Sequence, residues 1–175
     1  PIPDGRAAVP RARISGIKVA VMDEEPRQAL AGYRLFEGLT PAEVDAVAAC
    51  GRVVHFHSGQ TVIEESAATW DLYVVLEGRI SVEMAIHSHG SEAERSRQLA
   101  LFRKGEVFGD MAFLRGARRS ASVTTVDEFT AMVFDRDQLY RLFEDDTRIG
   151  YIMVRNLACI MSERVMELNF LLRNH

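Results

Sequence analysis

Along this chain the apolar positions change their period twice. Residues 26–36 place Leu30, Tyr33 and Leu35–Phe36 on one side of a helical spacing. Thr40-Pro41-Ala42-Glu43 then opens a second helix, with a threonine N-cap, a proline at the first helical position and an acid at the capping-box offset. Gly51 is expected to stop it. From residue 52 to 134 the period falls to two. Val54 and Phe56 alternate with His55 and His57, and Val62 and Ile63 follow Gly59. Leu72, Val74 and Leu76, then Ile80, Val82, Met84 and Ile86, give the strongest strand signal, with Gly78 between them as a turn or bulge. Residues 87–96 read as a polar loop, Leu99 and Leu101 resume the alternation, and 122–126 and 130–134 form two strands around Asp127-Glu128. Helical spacing returns at 136–144 and again over 147–173, where Ile149, Met153, Leu157, Ile160, Met161, Val165, Leu168 and Leu172 form a stripe. That helix would be roughly 40 Å long at the α-helical rise, more than a small roll covers, so part of its stripe is expected to meet a partner.

This order of elements predicts a mainly β fold with flanking α: an antiparallel, jelly-roll-like β-roll with N-terminal helices and a long C-terminal helix. The expected organisation is one domain overall. Residues 1–25 form a linker or partly ordered tail, 26–51 the N-terminal helices, 52–135 the β-roll and 136–175 the C-terminal helices. A length of 175 residues suits that organisation, and the net charge of −4 argues against an electrostatic grip on nucleic acid by the whole chain. Cys50 and Cys159 lie far apart in apolar, helix-like surroundings and read as reduced core thiols of a cytoplasmic protein. No apolar run reaches membrane-spanning length and no signal peptide is visible. A start at Pro1 without Met is expected of a piece cut from a longer protein.

One segment carries candidate chemistry, Phe108-Gly109-Asp110-Met111-Ala112-Phe113-Leu114-Arg115-Gly116-Ala117-Arg118-Arg119-Ser120-Ala121-Ser122-Val123. Gly109 permits a close backbone approach, and the next six residues make a short helix ended by Gly116. The first amides of such a helix lack internal partners and suit an anion. Arg119 can place a guanidinium against the same anion. Asp110 adds a carboxylate whose natural partner is a sugar hydroxyl. The same spacing also fits an N-capped turn flanked by surface arginines. His55 and His57 share a strand face, as metal ligands in cupins do, but no acid follows at the required spacing and no later strand supplies a histidine, so they read as half-exposed strand residues and no metal site is expected. No nucleophile elbow or Cys–His signature is present, and Glu24-Glu25, Glu64-Glu65 and Asp145-Asp146 read as solvated turns or caps.

Phe108–Ala112 together with Arg119–Val123 resembles the phosphate-binding cassette of the cyclic-nucleotide-binding family, which includes the catabolite activator protein and the regulatory subunits of protein kinase A. The cassette reads Phe-Gly-Glu-hydrophobic-Ala, a short gap, then Arg-small-Ala-Ser/Thr-Val. The resemblance runs over residues 35–173. It takes in Leu35-Phe36-Glu37-Gly38-Leu39-Thr40, Gly59-Gln60-Thr61-Val62-Ile63 with Glu65, Leu72-Tyr73-Val74-Val75-Leu76-Glu77-Gly78, and Gly105-Glu106-Val107-Phe108-Gly109. It implies a regulatory domain rather than an enzyme, with no catalytic residue and no metal or cofactor, whose small-molecule ligand is cAMP or cGMP. It implies that Arg119 binds the exocyclic phosphate oxygens. The backbone at Gly109, Met111 and Ala112 would line the ribose-phosphate site, Ser120 would donate to the phosphate or a purine edge, and Phe108, Asp110 and Ala121 would complete it. Arg118 is expected to be an exposed, solvated arginine.

Two positions depart from the family pattern. Asp110 replaces the glutamate that takes the ribose 2′-hydroxyl, and Ser66 stands where glycine is usual, a strained residue if φ is positive there. The resemblance also implies that the long helix moves toward the cassette on binding, that an apolar side chain near its middle covers the base, and that it pairs with its copy in a homodimer. Many relatives carry a helix-turn-helix after that helix. Here the chain ends at His175, so DNA binding is not expected of it alone. An alternative expectation keeps the fold and drops the ligand, leaving a dimerisation or protein-interaction module. Asp110 favours that alternative and Arg119 opposes it.

Overall fold

Pairing of the period-two segments yields two antiparallel sheets in the computed structural model, which describes residues 19–20, 29–86 and 95–173. The expected tail outside 19–20, the first three residues of the expected first helix and residues 87–94 of the expected 87–96 loop lie outside the described residues, while Arg95 and Ser96 of that loop instead open the strand β6. The strands are β1 (Val19–Ala20), β2 (Gly51–Phe56), β3 (Thr61–Ile63), β4 (Leu72–Glu77), β5 (Ile80–Ile86), β6 (Arg95–Phe102), β7 (Val107–Phe108), β8 (Ser122–Thr125) and β9 (Phe129–Phe134). One sheet runs β1-β2-β9-β4-β7 and the other β3-β8-β5-β6. Flanking them are helices α1 (Pro41–Ala49), α2 (Asp110–Arg115), α3 (Arg136–Asp145) and α4 (Thr147–Arg173). The fold is the expected antiparallel β-roll with flanking helices.

The alternation in β4 has a stronger meaning than one buried face. Leu72 through Leu76 are all buried. Leu72, Val74 and Leu76 join Phe36, Val44, Val47, Leu139, Ile149, Met153 and Leu157 in a core under the helices. Tyr73 and Val75 join Val54, Phe56, Ile80, Phe108, Phe129, Ala131 and Val133 in a second core between the sheets. The five-stranded sheet is therefore a middle layer at β4, and that strand reads as an almost continuous apolar run because water meets neither of its faces.

Several local expectations are corrected. Helix 26–36 is not continuous: residues 29–31 are helical, Tyr33 is extended at φ −93° and ψ 144°, and Arg34–Phe36 forms a 3-10 turn. The buried Asn156 side chain donates to the carbonyls of Leu35 and Glu37 at 2.9 Å each, holding that turn against α4. The Thr40–Glu43 capping box forms as expected. Gly51, however, is no helix cap: it opens β2, and a Cβ there would lie 2.7 Å from Met132 Cε and 2.9 Å from the Phe134 ring. Val19–Ala20, within the expected tail, adds a strand beside β2. Leu99 falls at the register shift between β5 and β6 and is left 50% exposed, against its expected inward place. Cys159 is exposed on α4 rather than a core thiol, while Cys50 is partly buried with Sγ 3.6 Å from the Ala46 carbonyl. Among the described residues no helix is long and apolar enough to cross a membrane.

Gly78 joins β4 to β5 at φ +78°, and a Cβ there would lie 2.3 Å from the Glu128 carbonyl oxygen; Gly59 has φ +79° with nothing within 4 Å. Gly59→Ala should therefore cost only the left-handed strain, roughly 1 kcal/mol. Gly78→Ala adds a backbone overlap and should cost roughly 3 kcal/mol. Urea denaturation of the two variants measures the difference.

Candidate functional site

The cassette is built by two left-handed glycines bracketing one short helix. Gly109 at φ +79° turns the chain out of β7 into α2, and Gly116 at φ +63° ends that helix after Arg115. Gly109 is required for room as well as for conformation: a Cβ would lie 2.7 Å from Arg119 Nη1 and 2.9 Å from the Asp71 carbonyl oxygen. After Gly116 the chain runs beside the loop that precedes β4. The Arg119 amide donates to the Ala67 carbonyl at 3.0 Å, and the Ser66 amide donates to the Arg119 carbonyl at 2.9 Å. Trp70 Nε1 donates to the Ala117 carbonyl at 3.1 Å and Arg118 Nη1 to the Ser66 carbonyl at 2.8 Å. Ser66 itself takes φ +65°, the left-handed strain that its position in the sequence implied.

Arg119 is not a surface arginine; its relative exposure is 4%. Its Nε donates to Thr69 Oγ1 at 2.9 Å, Nη1 to the Gly109 carbonyl at 3.1 Å and Nη2 to the Asp71 carbonyl at 2.9 Å. Its guanidinium carbon stands 5.7 Å from the Tyr73 ring centroid, and that ring stacks on Phe108 at 4.7 Å. Burial pulls the Arg119 pKa below its ordinary value. Burial also pushes the Tyr73 hydroxyl up to about 12, with the Asp71 carboxylate adding to the rise. The Asp71 carboxyl is raised by its own burial. Every acceptor found for the guanidinium is a neutral oxygen, and among the described residues no carboxylate lies within salt-bridge distance of it. The cation is thus solvated chiefly by dipoles, and the Asp71 and Asp110 carboxylates act on it from beyond hydrogen-bonding distance.

Asp110 is buried at the start of α2 and is paired already. Its Oδ1 accepts from the Met111 amide at 3.0 Å, and its Oδ2 accepts from Arg164 Nη1 at 2.7 Å. Arg164 also donates to the Val107 carbonyl and lies over the Phe102 ring, 4.4 Å from its centroid.

The structure thus brings Gly109, Asp110 and Arg119 together. Met111 is 45% exposed, with its sulfur 3.7 Å from the exposed Ser120 hydroxyl. Ala112 and Ala121 are buried, and the Phe108 ring faces the core between the sheets. Thr69, Asp71, Tyr73 and Arg164 escaped sequence reasoning. Only Arg164 left a signal: it follows Leu157 by seven and Ile160 by four, a charged residue on the roll-facing side of an amphipathic helix. His55 and His57 lie on the exposed surface, beside Thr130 Oγ1 at 3.0 Å and the Glu128 carboxylate at 3.1 Å.

Comparison with known proteins points the same way. A family model described as "Cyclic nucleotide-binding domain" matches residues 53–146, more than half of the chain. The chain is similar to a cGMP-dependent protein kinase of Toxoplasma gondii, 30% identical over 82% of this chain and 13% of the kinase. It is also similar to a cyclic AMP receptor protein of Thermus thermophilus, 29% identical over 78% of this chain and 59% of the receptor. It spans at most 59% of the length of these curated relatives. A solved cyclic nucleotide-binding domain from Methylobacillus flagellatus superposes with a TM-score of 0.78 over 91% of this chain and 89% of that one, at 19% identity.

Removing the Arg119 guanidinium takes a donor from three part-buried acceptors, Thr69 Oγ1 and the carbonyls of Asp71 and Gly109, of which Gly109 keeps the Phe113 amide. Arg119→Ala should lower stability by roughly 2–3 kcal/mol, while Arg118→Ala, at an exposed side chain, should stay within about 0.5 kcal/mol. Chemical denaturation of both variants checks this.

Proposed function

The chain belongs to the cyclic nucleotide-binding domain family, and on that premise we propose that it is a sensor: it takes up cAMP or cGMP at the cassette and passes the event on through α4. One observation supports this reading above the others. Arg119 is a nearly buried cation whose hydrogen bonds among the described residues all go to neutral oxygens, beside the amide end of α2. A cyclic phosphate brings a negative charge into direct contact with it. A guanidinium has five N–H donors and the protein acceptors take three, so donors remain for phosphate oxygens. Gly109, Met111 and Ala112 line the ribose-phosphate from their backbone, Asp110 addresses the sugar, and Ser120 with the exposed Met111 stands at the mouth toward the base. Phe108 and Ala121 support the site from beneath.

A second reading also has an observation behind it. Asp110 and Arg119 are each held by protein partners in the structure. A module that keeps the fold without a nucleotide would look the same, and would act through its helix as a dimerisation or protein-interaction unit. Calorimetry with cAMP and cGMP separates the two readings. The sensor binds one of them measurably, Arg119→Lys weakens that binding by more than about tenfold, and Arg118→Ala weakens it by less than about threefold. Heat-silent titrations with both nucleotides at millimolar concentration would leave the ligand-free reading.

The partner expected of α4 is a second copy of the chain. The stripe read from the sequence divides in two. Ile149, Met153, Leu157 and Ile160 of it are buried, as is Ile152 outside it. Its remaining members, Met161, Val165, Leu168 and Leu172, continue a row with Tyr151, Val154 and Ala158 that steps by alternating threes and fours, the spacing of a two-stranded coiled-coil seam. Tyr151, Val165, Leu168 and Leu172 of that row are 57–70% exposed. Pairing this row with its copy would cover a patch that is otherwise an aggregation hazard. In sedimentation the intact chain should be a dimer, and a variant carrying Leu168→Glu and Leu172→Glu should be a monomer. An intact chain that stays monomeric at high concentration, with and without nucleotide, would contradict the seam.

A further inference from the structure

Three acceptors hold the Arg119 guanidinium among the described residues, and only one of them is a side chain. The Gly109 carbonyl takes an N–H of Nη1 at 3.1 Å and the Asp71 carbonyl an N–H of Nη2 at 2.9 Å, whereas Nε donates to Thr69 Oγ1 at 2.9 Å. A main-chain carbonyl is offered by any residue, so Thr69 is the acceptor that depends on residue type. Its hydroxyl is presented from a fixed place. Two residues before it, the Ala67 carbonyl accepts from the Arg119 amide at 3.0 Å. One residue after it, Trp70 Nε1 donates to the Ala117 carbonyl at 3.1 Å. The loop that carries Thr69 is thus laced to the run from Gly116 that leads to Arg119. The branched Cβ of threonine further limits where its hydroxyl can turn.

A guanidinium carries one N–H on Nε and two on each terminal nitrogen. With Nε spent on Thr69 and one N–H of each terminal nitrogen spent on a carbonyl, the donors left are one on Nη1 and one on Nη2. Resting on the reading that a cyclic nucleotide enters the cassette, we propose that Thr69 is a positioning residue for phosphate recognition: it occupies Nε, so that Arg119 meets the exocyclic oxygens through its two terminal nitrogens alone. Without the hydroxyl, Nε–H is a buried donor in want of an acceptor, and the guanidinium can turn to find one. Its terminal nitrogens then leave their register, and a phosphate can be taken on the Nε side instead, a second bidentate arrangement of the same fork. Thr69 excludes that arrangement and fixes which oxygen faces which nitrogen.

The test uses the full chain, with cAMP and the Sp and Rp diastereomers of its cyclic phosphorothioate as probes. Each diastereomer carries sulfur at a different exocyclic position. Thr69→Val keeps the shape of the side chain and removes the acceptor, and Thr69→Ser restores the acceptor. In calorimetry Thr69→Val should bind cAMP about tenfold more weakly than the unaltered chain, on the scale of one hydrogen bond to a charged group, while Thr69→Ser stays within about threefold. The affinity ratio between the two diastereomers should shrink by about threefold or more in Thr69→Val and be kept in Thr69→Ser. A merely structural role would weaken both diastereomers alike. An unchanged ratio would therefore overturn the proposal, as would a Thr69→Ser variant as weak as Thr69→Val. Nuclear magnetic resonance of the ligand-free chain gives an independent reading: the Arg119 Nε–H should exchange with water about tenfold faster in Thr69→Val, and at the unaltered rate in Thr69→Ser. Unchanged exchange in Thr69→Val would overturn the proposal as well. If the unaltered chain takes up no nucleotide and exchange still quickens, the nucleotide reading fails while the placing of Arg119 by Thr69 stands.

Discussion

A guanidinium taken almost wholly out of water is the constraint around which this molecule is arranged. A buried cation is tolerable only where acceptors surround it. Arg119 finds them at Thr69 and Asp71, just before β4, and at Gly109, between β7 and α2. Segments about fifty residues apart must therefore meet within hydrogen-bonding distance. Several features of the backbone follow from that demand. Gly109 lacks a side chain because a Cβ would overlap Arg119 and Asp71. Ser66 accepts a left-handed conformation at φ +65° because its amide and the Ala67 carbonyl pair with the Arg119 backbone. Tyr73 and Phe108 stack beneath the site and close it toward the core between the sheets.

From this centre, contacts lead outward in two directions to the long helix. The first runs through α2 and α3. The Phe113 carbonyl accepts from Arg136 Nε at 2.8 Å, and the Phe113 ring meets Tyr140 at 5.4 Å. Tyr140 packs on Phe143, against which Gly150 fits so closely that a Cβ would lie 2.8 Å from the Phe143 Cβ. The second is the direct ion pair from Asp110 to Arg164. Farther from the cassette, Asn156 fastens the same helix to the Leu35 and Glu37 carbonyls. A displacement at α2 thus has physical contact with α4 at both its beginning and its middle, and the exposed row from Tyr151 to Leu172 lies on the helix that these contacts hold.

The architecture was readable because it rests on periodicity. The switch from helical spacing to alternation at residue 52 and back at 136 marks the roll, and Thr40, Pro41 and Glu43 announce α1 by local chemistry alone. The cassette was readable as a string: Gly109, Gly116 and Arg119 stand where the turn, the stop and the cation are needed. What the string could not show was direction. An arginine reads as exposed until its acceptors are known, and those of Arg119 are two main-chain carbonyls and one threonine, groups that every sequence offers everywhere. Gly51 misled in the same way, because a glycine after a helix signals a cap, and the ring and methyl that require it belong to β9, some eighty residues later. Leu99 lost its inward place to a register shift, which alternation cannot reveal. The division of the α4 stripe into a buried row and an exposed row needed the roll in place to be seen.

The central claim is the proposed one, that Arg119 binds the phosphate of a cyclic nucleotide. Nuclear magnetic resonance tests it most directly, by following the Arg119 Nε–H together with the backbone amides of Gly109, Met111 and Ala112 while cAMP or cGMP is added. The account predicts that these four signals shift together and saturate at one site, with 5′-AMP and inorganic phosphate far less effective. Signals at the cassette that stay in place up to millimolar nucleotide, or saturable shifts confined to residues elsewhere, would contradict it.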